Sequence, residues 1–553
     1  MKLEDLKSVE LKAIEKPAVL ELPKELEGKF TREEWKVFGH FCNKNPELPC
    51  MTEKVYLKNI ALCIKATANG KLDDVIKDPM KMTSHPFYKK WQAYYQNIKD
   101  EKAELRKDPK IKEANKKRSE ERKAKYGTAL VNGVEEPLQS FILEPEGIYQ
   151  GRPGSPDTGL WKEATKLEEV VVNSAGKCPK LIVDDKEMDY DFEMSFDPKA
   201  HYAAAYPIRI GVPGKKPTIQ HMGHIMFGAN SSVKKEGQAK KYDAADNLMK
   251  ESANLIKDLL DGLRKDPTST KVAIYCLFFK GIRIGHKTET RNGTKGLLTL
   301  EWGKDVTRVG NKIHFDFYGK DSVHDVSDLE CDKDIADAIE SVWSKDGKLK
   351  TDKTKIEAWV KTRANIVFTP KLSRTMVAAK VMTDALAAVE QKYNLNAFSP
   401  VPLKKLAFQE ANMAVAHQLN HQKGVSKAAE AKRQAKFAET KDKLKEREAK
   451  AKELTKKRQA KIKELKKAKK EGWQEKVAKL EEMIAKSAFR TDIAEKNANF
   501  KEAEANFTAS TSKASYIDPA IISDWCKKIA LPLDKVYSKT QLNQFNDLIT
   551  KED

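Results

Sequence analysis

The chain has 553 residues, a formal net charge of +21, 33% charged and 40% hydrophobic residues, and a mean hydropathy of −0.65. That is room for three or four domains with real cores and a polyanion partner, because each phosphate neutralised releases counterions, although ribosome association or bare solubility would give a similar balance. No apolar run reaches membrane-spanning length, Met1-Lys2-Leu3-Glu4-Asp5 is no signal peptide, and seven scattered cysteines without a CxxC pair exclude a disulfide framework or zinc ribbon and fit a reduced compartment.

The first 110 residues read as short helices interrupted at Pro79, Pro86 and Pro109, and residues 101 to 126 as a solvated helix around Arg118-Ser119-Glu120-Glu121-Arg122-Lys123. From 127 to 232 the runs Val170-Val171-Val172, Leu181-Ile182-Val183 and Ile208-Arg209-Ile210, bounded by Gly, Pro, Asn and Asp, predict strands and turns. Helix returns over 233 to 276. Residues 295 to 327 then predict a small antiparallel sheet. Leu297, Leu298 and Leu300 form one strand, and Ile313, Phe315 and Phe317 alternate with His314, Asp316 and Tyr318 in the next. Gly319-Lys320-Asp321 turns the chain and Val323 starts the return. Residues 374 to 420 are helical and alanine-rich.

Residues 425 to 508 are the most biased block. Between 431 and 470 there are 18 Lys/Arg and 6 Asp/Glu, a net of +12. Phe437, Leu444, Leu454, Ile462 and Leu465 before Gly472, and Val477, Leu480, Met483 and Ile484 after it, predict a narrow seam in an antiparallel two-helix hairpin. A single solvated helix, or disorder, is the alternative. The last 45 residues recover globular character around Tyr516, Ile521, Ile522, Trp525 and Phe545.

Covalent cleavage of a phosphodiester needs a nucleophilic oxygen, donors for the phosphoryl oxygens, an acid for the leaving oxygen and rigid placement. Tyr516 lies just before a helix breaker, in Lys513-Ala514-Ser515-Tyr516-Ile517-Asp518-Pro519. Arg283 stands among apolar residues in Gly281-Ile282-Arg283-Ile284-Gly285, where a buried guanidinium calls for an anion or a structural ion pair. Lys320 is at the hairpin tip, Arg374 opens a helix, and His421 ends one before Lys423-Gly424. Taken singly, each has an ordinary structural reading: a solvated lysine, a helix-start arginine, a helix-capping histidine.

The ordered set Arg283, Lys320, Arg374, His421, Tyr516 resembles eukaryotic-type DNA topoisomerase IB. The likeness is carried by Phe315-Asp316-Phe317-Tyr318-Gly319-Lys320-Asp321-Ser322, by Asn412-Met413-Ala414-Val415-Ala416 through Asn420-His421-Gln422, and by Ser512 to Pro519 followed by Trp525-Cys526-Lys527-Lys528. Val536-Tyr537-Ser538-Lys539-Thr540-Gln541 matches the C-terminal end. Gly147-Ile148-Tyr149-Gln150-Gly151-Arg152 and Ser231-Ser232 with Lys241-Tyr242-Asp243 are similar to DNA-contacting parts of that family's clamp. The likeness covers roughly residues 125 to 553.

The resemblance implies a multidomain α+β fold. Residues 1–110 would be a divergent N-terminal cap region and 111–232 a cap or clamp domain with β structure. Residues 233–424 would form a mainly helical catalytic core with a small antiparallel sheet, 425–508 a basic coiled-coil linker, and 509–553 a small helical C-terminal domain carrying the tyrosine. It implies relaxation of supercoiled DNA through a 3′-phosphotyrosyl intermediate by a monomer that clamps double-stranded DNA, without ATP, metal, cofactor or membrane. The expected place is the nucleus or another reduced, DNA-containing compartment, a viral origin included. Tyr516 would attack, Arg283, Arg374 and His421 would hold the non-bridging oxygens, and Lys320 would protonate the 5′-oxygen. Arg152, Ser231, Ser232, Lys241, Asp321 and Ser515 would contact DNA.

The sequence departs from the family pattern at His286-Lys287, where Asn-Glu is usual, at Gln150 for arginine, and at Ser515 for the asparagine that commonly precedes the tyrosine. The last departure implies reduced sensitivity to camptothecin-type poisons. Two rivals share features with this reading. A tyrosine recombinase uses the same five roles but would not need a basic hairpin between histidine and tyrosine. A non-catalytic nucleic-acid-binding coiled-coil protein accounts for the charge but not for the ordered residues.

Overall fold

Proline opens helices in this chain rather than breaking them. Pro86 and Pro109 are the first residues of helices Pro86–Leu105 and Pro109–Tyr126, preceded by His85 and Asp108, whose side chains accept from Phe87 N and Lys110 N. The first turn has backbone N–H groups without intrahelical partners, so the missing proline N–H costs nothing there. One of the expected short helices is therefore 20 residues long. The computed structural model describes residues 9–14, 20–151, 155–174, 180–183, 186–187, 202–285, 294–423 and 427–549. It divides into two compact units. One is Met1–Asp243 with His286–Lys295 and Tyr318–Ser322; the other is Ala244–Gly285 with Gly296–Phe317 and Val323–Asp553.

In the first unit, helices Arg32–Cys42, Lys54–Thr67 and Pro86–Leu105 bury an aromatic core of Trp35, Phe38, Phe41, Tyr56 and Trp91, with Trp35 Nε1 donating to Tyr95 at 2.9 Å. Helix Pro109–Tyr126 buries nothing, as its charge pattern predicts. Strand Val9–Lys12 pairs antiparallel with Thr128–Val131 and parallel with Lys180–Val183, in register Leu11 to Ala129 and Leu11 to Leu181. The first 110 residues thus contribute a strand, which was not expected. A second sheet runs in the order Thr218–Met226, Tyr202–Gly211, Trp161–Lys162, Gly147–Ile148, with Val171–Val172 also on Tyr202–Gly211. That ten-residue strand is much longer than Ile208-Arg209-Ile210, because Ala203, Ala204 and Ala205 are buried and extended despite their low strand preference.

In the second unit, Pro370–Tyr393 packs along Val401–Gln418, burying Met376, Val377, Met382 and Leu386 with Leu406, Ala411 and Val415. The three-stranded antiparallel sheet is Val306–Val309, Lys312–Tyr318, His324–Glu330. Ile313, Phe315 and Phe317 are buried, and Phe315 meets Trp343 edge-on at 6.3 Å. The expected leucine strand is instead a 3₁₀ turn, Leu297–Thr299, because the Thr299 hydroxyl and N–H both bond back to Gly296. Helices Lys427–Ala468 and Trp473–Ala503 fold back on each other at Gly472, whose φ of +71° suits glycine. Ile462, Val477 and Ile493 are buried between them, whereas Leu454 and Met483, expected in the seam, are nearly half exposed. Among the described residues every cysteine is free, and no helix is long and apolar enough to cross a membrane.

Candidate active site

Tyr516 opens a three-residue break between helices. Helix Ala509–Ser515 ends as the Ser512 carbonyl accepts from both Tyr516 N and Ile517 N, at 2.9 and 3.0 Å. The next helix, Pro519–Lys528, starts at once, with Asp518 accepting from Ala520 N. The tyrosine is therefore fixed from both sides, and its side chain is buried. Asn412 Nδ2 donates to Ala509 O at 3.1 Å, holding the front of this helix on Val401–Gln418.

Two side chains stand against it. The Arg374 guanidinium carbon lies 5.1 Å from the centre of the Tyr516 ring. Arg374 is only 4% exposed; its Nη1 donates to Gly281 O and its Nη2 to Leu419 O at 3.0 Å. Gly281 follows a single π turn at Cys276–Lys280 and has φ +68°, and a Cβ there would sit 2.9 Å from Leu419. Glycine takes this conformation without strain and so brings that carbonyl to the arginine. The His421 ring centre is 5.3 Å from that of Tyr516, and His421 Nδ1 is 2.8 Å from Ser512 Oγ. His421 stands three residues beyond the helix end at Gln418, after Asn420 in the left-handed region at φ +51°, so it is not the helix cap expected.

Arg283 is exposed rather than enclosed. The segment after Gly281 belongs to no helix or strand; in it Ile282 is buried and Arg283 exposed. Its backbone is held where Leu297 N and Leu298 N donate to Arg283 O and Ile284 O, at 2.8 and 3.0 Å. Gly285 and Gly296 approach so closely there that a Cβ on Gly285 would lie 2.8 Å from Gly296 Cα.

The electrostatics follow from this packing. Burial alone would raise the Tyr516 phenol, but the Arg374 and Arg283 charges outweigh it and hold the phenol below its ordinary range. Burial, reinforced by the same two arginines, pushes His421 down to about 4, so it is neutral at physiological pH. Burial also lowers Arg374, which stays charged because guanidinium starts so high. Arg374 Nε and His421 Nε2 are buried and have no hydrogen-bond partner among the described residues. Buried polar atoms are normally satisfied, so two unpartnered nitrogens beside one phenol, of which Arg374 Nε is a donor, leave a place for a further hydrogen-bonding group.

The second unit thus assembles Arg283, Arg374, His421 and Tyr516. Lys320 is exposed, at the first position of the Lys320–Ser322 turn, and groups with the first unit. Among the expected DNA contacts, Ser231 is fully buried and its hydroxyl accepts from Lys234 N at 3.2 Å, so it is a helix cap and not a presented side chain. Ser232 N donates to buried Glu136 at 2.8 Å, and the Ser232 hydroxyl bonds to the same carboxylate. Lys241 bonds Gln238 at 2.5 Å and lies over the Tyr242 ring. Ser515 is half-buried, and Gln150 is exposed. Arg152, His286 and Lys287 lie outside the described residues, as does the Asp321 side chain. Ser512, Gly281 and Leu419 were not singled out from the sequence. Only Ser512 had a usable signal, lying four positions before Tyr516 and so on the same helix face.

Three family models match the chain: "Eukaryotic DNA topoisomerase I, DNA binding fragment" over residues 24–187, "Eukaryotic DNA topoisomerase I, catalytic core" over 230–458, and "C-terminal topoisomerase domain" over 490–552. Similar curated proteins include DNA topoisomerase 1 alpha of Arabidopsis thaliana, 28% identical over 76% of this chain and 45% of the relative. DNA topoisomerase 1 of Drosophila melanogaster is 25% identical over 89% of the chain and 48% of the relative. For DNA topoisomerase 1 of Homo sapiens the values are 26%, 89% and 63%. The chain spans about half the length of the relatives it matches.

Proposed function

The chain belongs to the eukaryotic DNA topoisomerase I family, and on that premise we propose that it relaxes supercoiled double-stranded DNA by transient cleavage of one strand, controlled rotation and religation. The observation that carries this is a buried tyrosine, Tyr516, set against Arg374 and His421, whose Nε and Nε2 are buried and unpartnered among the described residues.

In this reading the Tyr516 phenol gives up its proton to solvent, Oη attacks the scissile phosphorus, the bond to the 5′-oxygen breaks, and a 3′-phosphotyrosyl link forms. Arg374 and His421, joined by Arg283, donate to the non-bridging oxygens as charge builds on them. Arg374 can do so rigidly because two of its nitrogens are already tied to Gly281 and Leu419. Lys320 protonates the departing 5′-oxygen, a task for an ammonium whose pKa lies nearer neutrality than that of guanidinium. Religation reverses each step: the 5′-hydroxyl attacks phosphorus, its proton returns to Lys320 and Tyr516 leaves. The phosphodiester energy is kept in the tyrosyl ester, so the cycle calls for neither ATP nor a metal ion.

The remaining assignments are part of the same proposal. Residues 1–232 act as the cap and clamp, 233–424 as the core, 425–508 as the linker and 509–553 as the tyrosine-bearing domain, in a monomer working in the nucleus or another DNA-containing compartment. Arg152, Ser232, Lys241, Asp321 and Ser515 are the proposed DNA contacts, with Ser231 placing the helix that carries Lys241. The test is relaxation of a supercoiled plasmid lacking any special site, in EDTA and without ATP. Wild type relaxes it and yields a tyrosine-linked 3′ end. Tyr516→Phe loses both yet keeps DNA affinity; relaxation by Tyr516→Phe would sink the proposal.

A further inference from the structure

His421 has two ring nitrogens in different surroundings. Nε2 is buried and without a protein partner, while Nδ1 faces Ser512 Oγ at 2.8 Å. A neutral imidazole has one donor and one acceptor nitrogen, and its other hydrogen bond decides which is which. Ser512 is fully buried, and His421 Nδ1 is the only partner its hydroxyl has among the described residues. We propose that Ser512 is a positioning residue that sets the tautomer of His421, donating its hydroxyl proton to Nδ1 so that Nε2–H is left to donate to the phosphoryl oxygen. This rests on the reading of His421 as a phosphoryl-oxygen donor.

The opposite arrangement, with Nδ1–H donating to Ser512, strands the hydroxyl proton in a buried place without an acceptor. It would also turn the Nε2 lone pair toward the incoming anion. Protonating both nitrogens would remove the choice, but burial and the flanking Arg374 and Arg283 charges keep the ring neutral down to about pH 4. The Ser512 carbonyl meanwhile accepts from Tyr516 N and Ile517 N. One residue therefore ties the histidine through its side chain and the tyrosine through its backbone. A side-chain substitution separates the two roles.

The readout is the ¹⁵N spectrum of the full chain labelled at histidine, with His421 assigned by difference against His421→Gln. The proposal expects the Nε2–H signature in wild type and in Ser512→Thr, and a mixed or Nδ1–H signature in Ser512→Ala. DNA cleavage by Ser512→Ala should fall roughly tenfold to a hundredfold, as for a weakened oxyanion donor, and Ser512→Thr should recover it. In a His421→Ala background, Ser512→Ala should cost little more. An Nδ1–H signature in wild type overturns the proposal. So does a Ser512→Ala loss of equal size with and without His421. Relaxation by Tyr516→Phe would sink the functional reading while leaving the tautomer result standing.

Discussion

At the scale of single residues, Arg374 carries the most separate constraints. It is buried, holds two backbone carbonyls and keeps one nitrogen open beside Tyr516. Lysine has the charge but no fork, so Arg374→Lys cannot serve all three directions. Its cleavage rate should fall by roughly 10²–10³, measured in single-turnover assays, with stability lowered by about 1–3 kcal/mol for the orphaned carbonyls. His421 makes a second prediction. Its folded-state pKa of about 4 lies below the ordinary 6.5, so the unfolded chain binds more protons between these values and stability falls as pH drops through that window. Half-buried His40, also near 4, acts in the same direction. Denaturant melts between pH 7 and 4 should therefore weaken steadily, and His421→Gln should flatten part of that slope; an unchanged slope would contradict the packing described.

At the scale of elements, the joints rather than the rods hold the site. Gly285→Ala meets both a positive φ and a 2.8 Å clash with Gly296, next to the backbone that carries Arg283. It should cost roughly 1–3 kcal/mol of stability and slow cleavage more than it weakens DNA binding. Gln422 Nε2 spans His324 O and Asn420 Oδ1, at 3.0 and 2.7 Å, linking the His421 loop to strand His324–Glu330. This level was also where sequence reading succeeded and failed. Ile313, Phe315 and Phe317 announced their strand because a two-residue period has one physical meaning. Leu297, Leu298 and Leu300 misled because hydroxyl back-bonding from Thr299 decided the turn locally. Arg283 misled because apolar neighbours in sequence do not fix which way a side chain faces in a segment outside helix and strand. Arg283, Arg374, His421 and Tyr516, which the second unit holds, could be picked out in the sequence; the carbonyls that aim Arg374 could not, since a backbone oxygen has no letter in the sequence.

At the scale of the whole molecule, charge is the dominant property. The net +12 over residues 431–470 sits on a hairpin that buries few side chains, so its lysines remain available to phosphates. Replacing residues 431–500 by a short flexible connector should reduce the slope of log affinity against log salt, measured by titration at several ionic strengths, while Tyr516-dependent cleavage persists. Persistence is expected because the hairpin is stapled at its base. Lys423 N donates to Asn506 O at 2.7 Å and Thr508 N to His421 O at 2.9 Å, both outside the replaced span.

That staple also sets an order of events during synthesis. Ser512 follows His421 by 91 positions, and only when both strands of the base exist can it close. A ribosome adding roughly 5–20 residues per second exposes the arginines and the histidine several seconds before the tyrosine. On the proposed function, the nascent protein has through that interval its anion-holding groups but no nucleophile. It would be drawn to nucleic acid, yet could not break a strand until the piece that does the breaking has been clasped beside the piece that steadies it.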